Sequence, residues 1–346
     1  MISVGYNLSS EEHSAPDLVR SAVRAEQAGF GFAAISDHYH PWTDAQGESS
    51  FVWSVLGSIA EATGSLQFGT AVTCPIIRTH PAILAQAAAT VTTLAPGRFF
   101  FGVGSGENLN EHVLGDRWPT VSERHEMLRE AIEVIRLLWS GGEQSVRGRH
   151  YTVELARIYS LPERPPPLFV AAGGPRAASI AAELADGLIA TTTDDAVIGR
   201  FRRAAPAAPR VGGIKVCWAP TVEEARRTVR EWWPVRALGG LTGLELRRPS
   251  DFQAAAAGLD DDDIVAGIAC SPDASEHLAL IREFEAAGYD HLYVRQIGPN
   301  QEGFFDFYER EVLPELELGT PRLGERVGAS TSSRTHHGAH GIPLEG

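Results

Sequence analysis

Short apolar runs alternate with amphipathic helical stretches along almost the whole chain, and this alternation restricts the fold more than any other feature. Residues 2–8, 32–36, 66–72, 99–103, 168–172, 187–191, 213–219 and 291–297 read as strands. Residues 17–28, 51–63, 81–94, 121–139, 176–185, 222–233, 274–287 and 304–313 carry helical periodicity. Gly29 stops the first helix, and Pro81 suits the first turn of another. Eight strands joined by crossovers predict an α/β fold, a (β/α)8 TIM barrel rather than an open Rossmann sheet. Residues 145–153 read as a small hairpin. The rhythm breaks around residues 234–265, where Gly239-Gly240, Pro249 and Asp260-Asp261-Asp262-Asp263 fall, and this segment is expected to be an insertion. The four acids read as a solvated helix start, because consecutive carboxylates cannot all face one ion. A single domain is expected over residues 1–318. Residues 319–346 are polar, without apolar periodicity, and read as a disordered tail.

Composition narrows the function. A formal charge of −14 argues against nucleic acid, whose phosphates require a basic face. Apolar runs stay well short of a membrane span, and no export signal opens the chain, so a cytoplasmic protein without a membrane partner is expected. Cys74, Cys217 and Cys270 are widely separated, which fits a reducing compartment and no zinc spacing. No metal site is expected. Lys215 is the only lysine.

In a parallel barrel the C-terminal strand ends carry the chemistry. The expected rim is Ser9, Ser10, Glu11 and Glu12; Asp37, His38 and Trp42; Ala71, Val72 and Cys74; Gly106, Glu107 and Asn110; Gly173-Gly174-Pro175; Thr191; Trp218; and Arg295. His38 stands out because a carboxylate, a second imidazole and an indole adjoin it in one turn, Asp37-His38-Tyr39-His40-Pro41-Trp42. An imidazole ordinarily titrates near physiological pH and suits proton transfer. Glu107 sits in a Gly-rich turn, where a carboxylate is rarely packing material. Gly173-Gly174 before a helix lets backbone N–H groups approach an anion, although the same residues also simply make a turn. Cys74 reads as filler in a pocket wall. Ser49, Ser50 and Trp53 lie close to the His38 turn in sequence and are expected to help shape the pocket.

The segments Ser36-Asp37-His38-Tyr39-His40-Pro41-Trp42, Gly69-Thr70-Ala71-Val72-Thr73-Cys74-Pro75, Gly102-Val103-Gly104-Ser105-Gly106-Glu107-Asn108-Leu109-Asn110-Glu111 and Ala171-Ala172-Gly173-Gly174-Pro175 resemble the bacterial luciferase-like family. Within it they resemble the branch of coenzyme F420-dependent glucose-6-phosphate dehydrogenases, from about residue 4 to residue 316. The resemblance implies coenzyme F420 across the strand ends and a cis peptide at Ala71-Val72 behind its deazaflavin ring. It assigns Asp37, Ala71, Val72, Cys74, Gly106, Asn110, Gly173, Gly174 and Thr191 to the cofactor. It assigns His38, Trp42, Glu107 and Glu11 to catalysis, with Glu12 adjacent to Glu11 in register. The implied reaction passes a hydride from the carbinol carbon of an alcohol or sugar phosphate to C5 of the deazaflavin. His38 takes the hydroxyl proton, Glu107 balances the proton at N1 and Trp42 packs the substrate. The alternatives are an FMN-dependent luciferase-like monooxygenase and a non-catalytic F420 carrier.

The chain departs from that branch where the sugar phosphate is held. The two lysines and the arginine that the resembled enzymes use for the sugar phosphate correspond to positions near Asp194, Ala266-Gly267 and Glu283 here, and all three cations are lost. A phosphate would then depend on other cations such as Arg78, Arg247, Arg248 or Arg295, or the substrate is a neutral alcohol. A small-molecule substrate and a homodimer are expected, the latter through apolar surface such as residues 132–139.

Overall fold

Strands buried on both faces need no polar alternation, and the apolar runs of this chain pair accordingly. A computed structural model describes residues 1–320 and 323–324. Eight parallel strands close on themselves: β1 (Ser3–Leu8), β2 (Phe32–Ile35), β3 (Gln67–Thr70), β4 (Phe99–Val103), β5 (Leu168–Ala171), β6 (Gly187–Ala190), β7 (Arg210–Cys217) and β8 (His291–Gln296). β8 returns to β1, and helices cover the outside, so the (β/α)8 barrel is the fold. Strands Gln144–Arg147 and Thr152–Ala156 form the separate hairpin.

The barrel interior is filled by large rings set against missing side chains. Phe32, Phe100, Phe169 and Tyr293 point inward with Ile189 and Val211. A Cβ on Gly5 would lie 2.6 Å from the Phe32 ring, and one on Gly213 would lie 2.2 Å from the Tyr293 ring. Gly212-Gly213 therefore sits inside β7 for steric reasons. The strand begins at Arg210, three residues before the expected start at residue 213. Leu323 also packs into this interior, and its N–H donates to Gln67 Oε1 at 2.7 Å. Barrel packing thus continues past residue 318; the rest of the expected tail lies outside the described residues.

Three further expectations change. Ile198–Ala204 forms a helix between β6 and β7 that the sequence reading missed, because about two turns carry too little periodicity. The apolar side chains Ile132, Ile135, Leu138 and Trp139 are buried within the chain's own core, so that segment offers no dimer surface. Trp53 packs edge-on to Phe99 and Phe101 beneath the helices and does not shape the pocket.

The segment after Trp233 is built of short helical pieces, Pro234–Ala237, Leu241–Glu245, Pro249–Ala256 and Asp261–Val265. Asp260 caps the last of them by accepting from Asp262 N–H at 2.8 Å, while Asp261 and Asp262 pair with Arg230 and Arg226. Phe252, Ile264 and Val265 form a second apolar cluster with Trp233, against which Trp42 packs. This cluster roofs part of the strand ends.

Candidate active site

The loops after β1 to β6 converge on one cavity of about 850 Å³ at the C-terminal end of the barrel. Its wall includes His38, Trp42, Glu107 and Glu11, together with Asp37, Ala71, Val72, Cys74, Gly106, Asn110, Gly173, Gly174 and Thr191. The Ala71-Val72 peptide is cis.

Glu11 is the centre of the charged side. Its Oε1 lies 3.5 Å from His38 Nε2 and 3.4 Å from Arg295 Nη1. Its Oε2 accepts from the Ser36 hydroxyl and, at 3.2 Å, from Ser9. Burial alone would raise the Glu11 pKa; Arg295, His38 and the Ser36 hydroxyl outweigh it and hold the carboxyl well below the usual range. Glu12 faces the other way. It accepts from Trp233 Nε1 at 2.7 Å and Gly298 N–H at 2.8 Å, which leaves Glu11 as the carboxylate of this pair that meets His38.

The other edge of the His38 ring has a partner in either protonation state. Asn110 Oδ1 accepts from the backbone N–H of Tyr39 at 2.9 Å and of His40 at 3.2 Å, which turns its amide nitrogen towards His38 Nδ1 at 3.2 Å. The His40 carbonyl also lies 3.2 Å from Nδ1. A bare Nδ1 accepts from Asn110, and a protonated Nδ1 donates to His40. Ser49 braces the turn by donating to the His38 carbonyl at 2.8 Å. The Trp42 ring lies 5.2 Å from the His38 ring and meets Phe252 edge-on.

Under this layer, Asp37 is fixed by Arg78 at 2.9 Å and by the Thr73 hydroxyl at 2.7 Å. Arg78 also gives its backbone N–H to Glu111 at 2.8 Å. Burial pushes the Glu111 pKa up, against the pull of Arg78. Arg78 is therefore committed to internal carboxylates and is not the free cation expected for a substrate phosphate.

Gly106 turns the chain at φ +72°, and a Cβ there would lie 2.5 Å from Cys74 Sγ. Burial raises the Cys74 pKa, with Glu111 adding to it, so the thiol is a neutral wall atom. Gly106→Ala is expected to lose about 1–2 kcal/mol from the backbone alone, with the Cys74 clash in addition. Urea unfolding reads this, and a midpoint equal to that of the parent would refute it.

Two features fit a cofactor with a planar ring and an anionic arm. A Cβ added at Gly173 or Gly174 would meet no atom within 4 Å, so the backbone there is open to close approach. Gly174 caps the helix Pro175–Leu184, whose first-turn N–H groups of Arg176 and Ala177 have no partner within the helix. The carboxylate of Glu107, half-buried at the β4 end, has no hydrogen-bond partner among the described residues and is free to serve a ligand.

The sequence reading missed several wall residues. Lys215 and Trp233 line the cavity, as do Arg124, Arg176 and Leu244. Strand seven presents Lys215 there and not Trp218, which stacks on Phe307 outside the cavity. Only the strand's parity and pairing could have found Lys215. Asp194 and Glu283 are exposed and joined through Thr193, and neither they nor Gly267 belong to the cavity wall. Arg247 and Arg248 are also outside it.

A family model described as luciferase-like monooxygenase matches residues 2–291. The F420-dependent hydroxymycolic acid dehydrogenase of Mycobacterium tuberculosis is 38% identical over 320 residues, 90% of this chain and 88% of that protein. The F420-dependent glucose-6-phosphate dehydrogenase of Amycolatopsis mediterranei is 35% identical over 330 residues, 91% of this chain and 99% of that protein. Among solved structures, an F420-dependent secondary alcohol dehydrogenase in complex with an F420-acetone adduct matches with a TM-score of 0.84 at 30% identity, over 91% of this chain and 99% of the other.

Proposed function

This chain belongs to the luciferase-like monooxygenase family, and on that premise we propose that it is a coenzyme F420-dependent dehydrogenase acting on the CH–OH carbon of an alcohol. The observation that carries this reading is the Arg295–Glu11–His38 cluster, which opens a basic nitrogen and its counter-charge onto the same cavity as the Gly173-Gly174 cradle. When bound, the deazaflavin supplies a two-electron hydride acceptor.

The chain's own residues then manage the protons. His38 takes the substrate hydroxyl proton on Nε2, and its Nδ1 hydrogen goes to the His40 carbonyl. Glu11 stabilises the resulting imidazolium from 3.5 Å. Glu107 carries the balancing proton on its carboxylate. Trp42 and Trp233 cover the substrate and exclude water. Asp37, Gly106 and Asn110 would shape the ring site, and Gly173 and Gly174 would receive the phosphate of the cofactor arm. A homodimer remains part of this reading.

The substrate does not hold a phosphate at the three family positions, because Asp194 and Glu283 would repel it and lie outside the cavity wall. The test is to mix the protein with oxidised F420 and follow its visible absorbance with isopropanol, cyclohexanol, glucose 6-phosphate, fructose 6-phosphate and mannose 6-phosphate. Bleaching with at least one alcohol is the expected result. Tight FMN binding with rapid oxidation of reduced FMN in air, and no F420 binding, would overturn it in favour of a monooxygenase. F420 binding that survives loss of both His38 and Glu107, with no turnover in either direction, would favour a carrier.

A further inference from the structure

We infer that Lys215 and the neighbouring Arg295 form a subsite on the β7–β8 side of the cavity for an oxyanion, a carboxylate or phosphate carried by the alcohol substrate. The inference rests on the dehydrogenase reading for what brings the anion, and on this chain's own residues for where it binds.

The two cations are direct neighbours. Arg295 pairs with Lys215 in the parallel register of β8 and β7. Both lie over the same ring: Lys215 Nζ is 4.9 Å and the Arg295 guanidinium carbon 4.8 Å from the centre of Trp233. Their surroundings treat them differently. Arg295 donates through Nε to Asn7 Oδ1 at 2.6 Å and meets Glu11 at 3.4 Å. The Lys215 ammonium has no hydrogen bond and no ion pair among the described residues, yet the residue lines the cavity.

The nearby carboxylates are already engaged. Glu11 serves Ser36, Ser9, His38 and Arg295, and Glu12 serves Trp233, Gly298 and Ser9. The chain thus keeps its only lysine as an uncompensated cation inside a site whose adjoining walls are Trp42, Trp233 and Leu244. An ammonium desolvated without a counter-charge is costly, and an incoming anion removes that cost. Asp194 and Glu283 carry the wrong sign, and the other cations of the wall, Arg124 and Arg176, stand on the helix after β4 and beside the Gly173-Gly174 cradle.

The electrostatics also set a pH dependence. Arg295 faces Lys215 from β8, Arg236 from the turn after Trp233, and Glu11 and Glu12 from the β1 loop. Burial, Arg295 and Arg236 bring the Lys215 pKa down to about 7, against Glu11 and Glu12. The ammonium is charged below that pH and neutral above it. Anion affinity is therefore strongest below pH 7 and falls as the pH rises through it.

The test uses sulfate, whose charge is constant over the range, and propionate, each titrated into the F420-loaded protein at matched ionic strength. Tryptophan fluorescence reports on the ring that Lys215 touches. With F420 bound, its own phosphate would occupy the proposed cradle at Gly173-Gly174, which would remove that competing anion site. Saturable binding of at least one anion is expected, weakened roughly tenfold or more in Lys215→Met and within about threefold of the parent in Lys215→Arg. Parent affinity is expected to fall roughly tenfold between about pH 6 and about pH 8, and the Met variant to show no such fall. Preference for sulfate assigns a phosphorylated alcohol, and preference for propionate a hydroxy acid. Lys215→Met removes an unpaired charge and is expected to fold at least as well, which its melting temperature checks. No saturable binding of either anion, or equal binding in Lys215→Met, overturns the subsite. Failure to bind F420 would instead defeat the dehydrogenase reading, and the parent-against-Met comparison then decides the subsite on the unloaded protein.

Discussion

Replacing His38 with alanine is expected to lower F420 reduction roughly 10²- to 10⁴-fold while leaving the F420 dissociation constant within about threefold. The asymmetry follows from where the ring sits. Nε2 faces Glu11 and the cavity, and Nδ1 is held between Asn110 and the His40 carbonyl. The imidazole is thus supported on one edge and free to exchange a proton on the other. The proposed cofactor cradle at Gly173-Gly174 follows β5, on a separate loop from the His38 turn, and does not depend on the ring. Steady-state turnover and a fluorescence titration of F420 measure the two quantities separately. A parallel fall in both would make His38 a cofactor contact and remove it as the base.

Glu11→Gln is expected to cost about 3–5 kcal/mol of stability as well as turnover, because it breaks a buried pair and leaves Arg295 uncompensated. Glu11 and Arg295 side chains are 1% and 10% exposed, so water screens them little. The double variant Glu11→Gln/Arg295→Met removes both charges and should regain most of the stability, but not the activity, since His38 still lacks its counter-charge. The pH dependence has a definite sign. The folded pKa of Glu11 lies well below its ordinary 4.5, so its stabilisation is complete above that value and is lost as the pH falls below it. Urea midpoints of the parent should therefore drop on acidification more steeply than those of Glu11→Gln. Equal midpoints of parent and single variant at neutral pH would show that this ion cluster contributes nothing to stability.

Much of the fold was legible because strand and helix leave different periods in a sequence. The apolar run at 99–103 and the helix at 121–139 are each long or regular enough to read alone, and both stand where expected as β4 and as Val121–Trp139. Signals failed where a residue served a distant neighbour. Gly213 reads as the first residue of a strand, and only the Tyr293 ring that needs the space explains why the strand runs through the whole Gly212-Gly213 pair. Trp233 ends a helix in the sequence, but reaches the strand ends because the following short helices fold back over them. Leu323 follows a polar stretch, and only the closed barrel supplies the interior that it enters.

The same division runs through the site. The Asp37–Trp42 turn, the Gly-rich turn carrying Glu107 and the Gly173-Gly174 pair are local, since a strand end dictates where a short turn must sit, and so the sequence by itself determined that they share a rim. Which of Glu11 and Glu12 meets His38, that Arg78 is spent on Asp37, and that Lys215 stands uncompensated beside Arg295 were decided only by the tertiary structure. A side chain's direction on a barrel strand and the charges facing it depend on pairing register between segments as far apart as β1 and β8. No local sequence pattern records that register, because it is set by the mutual packing of the whole barrel interior.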